Sequence, residues 1–129
     1  MRRYLTIDEI DGALGRECSV EQFLGQVADS GVLGVRHLEL RPAKGQIELW
    51  LYDSEDLGDE NYLDIYSFPS FTPEPPDAPV AVFEDLSSAL SFAGAHFSAL
   101  SDHWVNQSVS QSDYLDFVRA GRPSTWPIA

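Results

Sequence analysis

Asp53, Glu55, Asp56, Asp59 and Glu60 place five carboxylates within eight residues, and Asp64 follows closely. Carboxylates at this density can ligate a hard cation, or they can face the Lys and Arg side chains of a partner. The run lacks the order of an EF-hand loop, in which ligands at fixed positions surround a glycine at position six and lead to a glutamate at position twelve. No metal site is therefore expected, and the choice lies between a partner-facing cluster and a solvated hairpin loop. Paired carboxylates also run glycoside hydrolysis, but among 21 acidic residues the mere presence of pairs singles out none.

Other nucleophiles and ligands give no pattern. His96 and His103 lie seven residues apart, beyond the three or four that would put two ligands on one metal. Asp102 beside His103 is adjacent in sequence only, and His37 stands alone. Cys18 is the single cysteine, with no local partner that would activate it. There is no Gly-x-Ser-x-Gly elbow, no phosphate loop and no dinucleotide fingerprint. No catalytic residue and no cofactor are expected.

Aromatic residues supply a second candidate feature. Read as strands, residues 46–52 and 62–68 put Trp50, Tyr52, Tyr62, Tyr66 and Phe68 on one side and Leu49, Leu51, Leu63 and Ile65 on the other. A two-layer domain needs one buried sheet face, so the aromatic face is free to stand exposed beside the acidic loop. Rings ringed by carboxylates suit Arg and Lys through cation-π contact and ion pairing. The alternative is that helices cover the rings as core, because large aromatics usually bury most of their area.

The charge distribution points the same way. No Lys or Arg occurs between Lys44 and Arg119, while residues 45–118 hold fourteen carboxylates. The net charge is -13. A one-signed field of this kind attracts basic partners and repels nucleic acid and anionic membranes. With one cysteine no intrachain disulfide can form. Asp8, Glu9 and Asp11 interrupt any signal-peptide pattern after Arg2 and Arg3, and no window approaches a membrane span. A soluble, cytoplasmic protein is expected.

These side chains need a frame. A chain of 129 residues predicts one domain over 1–129. Thr6 and Glu9 match a capping box, which predicts a short helix from 7 to about 14, with a strand at 4–7 as the alternative. Val20, Phe23, Leu24 and Val27 recur at helical spacing, which predicts a second helix behind Ser19 that stops at Ser30-Gly31. Leu38 and Leu40 alternate with His37, Glu39 and Arg41, as a strand does, and turn residues at 42–45 lead to the strand at 46–52. With 62–68 these make a three-stranded antiparallel meander. Five prolines at 69–79 predict an extended connector poor in hydrogen bonds. Residues 80–83 offer an edge strand. Asp85 caps a helix with an apolar face through Ala89, Ala93 and Phe97, and Ser112 caps a last helix from 113 to 120, ended by Gly121. The expected fold class is α+β: a small antiparallel sheet of three to four strands packed against helices.

In kind, the chain resembles the bacterial immunity proteins of contact-dependent growth inhibition and related polymorphic-toxin systems. The features that carry this are a small acidic domain, acidity clustered at 53–60, one cysteine and no catalytic signature. The resemblance implies a dedicated toxin partner, bound tightly and specifically. A nuclease toxin fits, since a surface that holds phosphates must be positive. Partner contacts are then expected from Asp53, Glu55, Asp56, Asp59, Glu60 and Asp64 for charge, and from Trp50, Tyr52 and Tyr66 as anchors. Two other classes stay open: a small hydrolase-type enzyme using carboxylates, and an acidic docking domain within an assembly.

Overall fold

Three consecutive strands, β1 (Val20–Asp29), β2 (Val32–Ala43) and β3 (Gln46–Glu55), form an antiparallel meander in the computed structural model, which describes residues 3–71 and 76–127. Two tight turns join them. Ser30-Gly31 and Lys44-Gly45 both have positive φ, at 52° and 83° and at 52° and 80°. Two left-handed residues in succession match the right-handed twist of a hairpin. The short strands β4 (Ala81–Phe83) and β5 (Val105–Asn106) flank the meander, and the order is β4-β3-β2-β1-β5, all antiparallel. Helices α1 (Ile7–Gly15), α2 (Leu86–Phe97) and α3 (Ser110–Arg119) complete an α+β fold. Among the described residues no helix is long and apolar enough to cross a membrane.

The helix starts obey local chemistry. Thr6 Oγ1 accepts the Glu9 amide and Glu9 Oε1 accepts the Thr6 amide, a complete capping box for α1. Asp85 accepts the Ser88 amide at the start of α2. The last helix begins at Ser110 rather than after Ser112, with no side-chain cap, and the chain leaves it through Gly121 at φ 85°.

The helix expected at 20–27 is strand β1. A bulge between Phe23 and Gly25 explains the misleading spacing. Leu24 is the extra residue, left unpaired between Phe23 and Gly25, and with Gly25 at φ 89° it shifts the alternation. Val20 and Leu24 therefore pack on one face while Phe23 packs on the other. Both faces of β1 are covered, so apolar residues fall at three- and four-residue intervals without helical structure. Ser30-Gly31 is a hairpin turn and not a helix stop. The strand expected at 62–68 is also absent. A 3-10 turn (Ile65–Ser67) stands there, and Ile65 and Phe68 point inward together.

One sheet face carries Val20, Leu38, Leu40 and Leu49 against Ile10, Ala13 and Leu14 of α1, Ala89 and Ala93 of α2, and Trp104. The opposite face carries Phe23 and Val35 against Tyr114 and Phe117 of α3 and Ile65 and Phe68 of the turn. The sheet is thus covered on both sides, not on the one side that a two-layer domain requires. The connector expected at 69–79 is partly bonded: Glu55 N–H donates to Pro69 O at 2.8 Å and Phe71 N–H to Asp53 O at 3.1 Å, and just past it Val80 N–H donates to Leu49 O at 2.7 Å. Residues 72–75 of that segment lie outside the described residues.

Candidate functional site

Strand register builds a grid on the sheet face that α3 covers in part. Glu21 of β1 lies opposite Glu39 of β2, which lies opposite Trp50 of β3. One step along, Phe23 lies opposite His37, which lies opposite Tyr52. Glu21, His37 and Glu39 are 3%, 5% and 7% exposed. Above this floor the chain leaves a cleft of about 770 Å³. Tyr66, Phe68 and Pro69 form one wall and Gln107 and Ser108 form another, with Glu21, His37, Glu39 and Tyr52 at the bottom. A cleft of this size is in the range that holds a small ligand or a partner's side chains.

The two glutamates differ in their surroundings. Glu39 is saturated. Its Oε1 accepts from Arg41 Nη2 at 3.1 Å and Tyr52 O–H at 2.9 Å, and its Oε2 from Ser19 O–H at 2.7 Å and Arg41 Nε at 3.2 Å. Burial alone would raise its carboxyl. The bonds from Arg41, Ser19 and Tyr52 outweigh burial and hold it below the usual glutamate range. Among the described residues Glu21 has no cation beside it. Its Oε1 accepts Tyr66 O–H at 2.5 Å and the Ser108 amide at 3.1 Å. The buried Ser110 hydroxyl sits close enough to favour the anion but outside hydrogen-bonding geometry. Burial dominates, and with Glu39 opposite it pushes Glu21 up. Like charges directly opposed across a ladder are destabilising, and here only one of the two is neutralised.

His37 completes the floor. Its ring stacks on Tyr52 at 4.7 Å and meets Tyr66 edge-on at 5.4 Å. Neither ring nitrogen has a hydrogen-bond partner among the described residues, although the side chain is almost fully buried. Burial pushes its titration down to about 4, against the pull of Glu39 and Asp53. At neutral pH the ring is uncharged and offers one donor and one acceptor.

The residues expected to contact a partner are divided by the fold. Tyr52 and Tyr66 line the cleft, and Tyr66 is 41% exposed. Trp50 is buried, and its face is already occupied. Arg41 lies 4.1 Å over the ring, and the indole N–H donates to Glu48 at 3.0 Å. The protein's own arginine fills the cation-π position that a partner was expected to take. Asp53 is held by Arg36 in a two-pronged pair at 2.7 and 2.9 Å. Asp56 is internal: it accepts from Tyr114 O–H and from Arg122 Nε at 2.7 Å. Arg122 also donates to Gly58 O at 2.6 Å, so Asp56 anchors the base of the loop. Glu55 ends β3 half-buried. Asp59, Glu60 and Asp64 are exposed, with Glu60 in a loose 3.5 Å pair to Arg119. Asp64 lies close enough to Tyr66 to influence its phenol.

The field over residues 45–118 is accordingly less uniform than its sequence. Arg3 reaches Asp113 and Asp116 at 2.7 and 2.6 Å, and Arg36, Arg119 and Arg122 reach Asp53, Glu60 and Asp56. Arginines from both ends of the chain fold back among the acids.

Glu21, His37 and Glu39 were not expected as site residues. Alternation at 37–41 does place His37, Glu39 and Arg41 on one strand face. Reading 20–27 as a helix concealed that Glu21 would stand against Glu39. No family model, no curated protein and no solved structure matches this chain.

Proposed function

We propose that this protein binds a basic protein partner and neutralises it, with a nuclease toxin as the partner class that fits best. One observation carries the reading: an acid-floored, ring-lined cleft on a chain of net charge -13 that also leaves Asp59, Glu60 and Asp64 exposed. A nuclease must present cations to hold phosphates, and an acidic protein seated on them blocks substrate without chemistry of its own. The long-range field would also speed encounter, more so at low salt. The test is co-expression with a basic nuclease encoded beside this protein. A stoichiometric complex with the nuclease activity lost is expected. Full nuclease activity in the presence of excess protein would refute the reading.

A second reading is a small carboxylate hydrolase, favoured by a raised Glu21 opposite a lowered Glu39 in one cleft. Environments that push two carboxyls apart are how acid and base roles are assigned. Here Glu39 would have to release Arg41, Tyr52 and Ser19 before acting as base or nucleophile. That occupancy favours binding over catalysis. Turnover of a glycoside or ester substrate by the wild type, lost in Glu21→Gln, would reverse the preference.

A further inference from the structure

The cleft holds an incomplete electrostatic arrangement. Glu21 is buried without a cation among the described residues, whereas its cross-strand neighbour Glu39 is paired with Arg41. A carboxylate taken out of water is costly unless a positive group is brought to it. The second observation is independent of the acids. His37 is 5% exposed, lines the same cleft, and has both ring nitrogens unpaired among the described residues. Its ring nitrogens are not sealed from water, so they open on the cleft and are available to a partner there. Around these two acceptors stand flat rings. Tyr52 stacks on His37, Tyr66 stands edge-on to it, and Phe68 forms the wall. A planar cation with several N–H donors matches two acceptors set among ring faces better than a compact ammonium does.

We infer that the cleft receives one arginine side chain of the basic partner, its guanidinium facing Glu21 and donating to His37. The inference rests on the proposed function for the source of that arginine and on the cleft alone for its chemistry. Trp50 plays no part in capture, because Arg41 already covers it. Arg41 over Trp50 beside Glu39 instead shows, within this chain, the arrangement that the guest would repeat at Glu21: an arginine against a ring and a carboxylate. Tyr66 stands at the mouth, its hydroxyl bonded to Glu21 and its ring partly in solvent. The groups facing Glu21 are Glu39 and His37 from β2, Tyr52 from β3, Tyr66 from the 3-10 turn, and the Ser108 amide and Ser110 hydroxyl before and within α3. None of these carries a positive charge at neutral pH.

The experiment titrates the full chain with Nα-acetyl-L-arginine methylamide at millimolar concentrations and 0.15 M salt, followed by side-chain NMR of His37 and the tyrosines. The uncharged Nα-acetyl-L-citrulline methylamide is the control. Saturable shifts at His37 and Tyr66 with the arginine probe, and none with citrulline, are expected. Glu21→Gln should weaken binding about tenfold, the difference between a charged and a neutral hydrogen bond. Gln107→Trp, at the exposed rim, should block entry and decides the matter if Glu21→Gln does not fold. Equal binding of citrulline, unchanged binding in both variants, or shifts confined to Asp59, Glu60 and Asp64 would overturn the inference. A probe that fails while a basic nuclease is still neutralised removes the arginine site and leaves the proposed function. A probe that binds while no basic nuclease is neutralised keeps the site and removes the function.

Discussion

Asp56→Ala should destabilise the protein by about 3 kcal/mol, although Asp56 sits in a loop that reads as solvated. Its carboxylate accepts from the fully buried Tyr114 hydroxyl and from Arg122 Nε at 2.7 Å. Truncation strands the hydroxyl, at roughly 1–3 kcal/mol for an unpaired buried group. Arg122 loses a charged hydrogen bond, nominally about 1.5–3 kcal/mol. Its side chain is 38% exposed and still donates to Gly58 O, so its share falls to about 1 kcal/mol. For a chain of this size the sum corresponds to a melting temperature lower by about 10 °C. Urea unfolding followed by tryptophan fluorescence is the assay, with Asp59→Ala and Glu60→Ala as controls. Both controls are exposed and should stay within about 0.5 kcal/mol of wild type. If Asp56→Ala unfolds with the controls, the Tyr114–Asp56–Arg122 anchor is not what holds the loop.

Further expectations follow from the same geometry. His37 titrates at about 4 in the folded chain and near 6.5 when unfolded, so the unfolded state takes up the proton first as pH falls. Stability should be lost between pH 6.5 and 4, by up to about 3 kcal/mol from this group, with raised Glu21 opposing part of the loss. Urea midpoints in His37→Gln should vary less over that window than in wild type, and an equal slope would contradict the assignment. Gly34→Ala should cost about 3 kcal/mol or more, because the added Cβ would collide with the Ser54 carbonyl and the Phe71 ring; Gly45→Ala meets no neighbour and pays only for its φ of 80°. Calorimetry of the two variants checks the contrast. Reversing Asp59, Glu60 and Asp64 to Lys together should slow association with a basic partner by about tenfold or more at low salt and leave the melting temperature nearly unchanged, as stopped-flow and thermal melts would show.

The parts of the fold legible in the sequence are those whose signal is local. The Thr6–Glu9 box, the Asp85 cap, the alternation at 37–41 and 46–52 and the Lys44-Gly45 turn each depend on neighbours a few residues away, and each is present. The edge strand expected at 80–83 also forms, over 81–83. What failed depends on contacts far along the chain. β1 reads as a helix because a bulge and two covered faces scramble its alternation. The 62–68 strand is a 3-10 turn because Ile65 and Phe68 both plug the core under α3. β5 has two residues and exists only through its pairing with Val20 and Glu21. The candidate site was half legible for the same reason. Tyr52 lines the cleft from a strand that alternation predicted, whereas Tyr66 reaches it from the 3-10 turn and not from the strand expected at 62–68. Which acids are free could not be read, because Arg3, Arg36 and Arg122 return from distant positions to claim Asp113, Asp53 and Asp56.

The most direct test is a carbon-13 titration of the glutamate side-chain carboxyls, run without and with saturating Nα-acetyl-L-arginine methylamide. In the free protein Glu21 should titrate above the ordinary glutamate range and Glu39 below it. A cation seated against Glu21 binds its ionised form, so the probe should draw the Glu21 midpoint down and leave Glu39 nearly unmoved. A Glu21 midpoint at or below the ordinary range in the free protein, or one indifferent to the probe, would contradict the account.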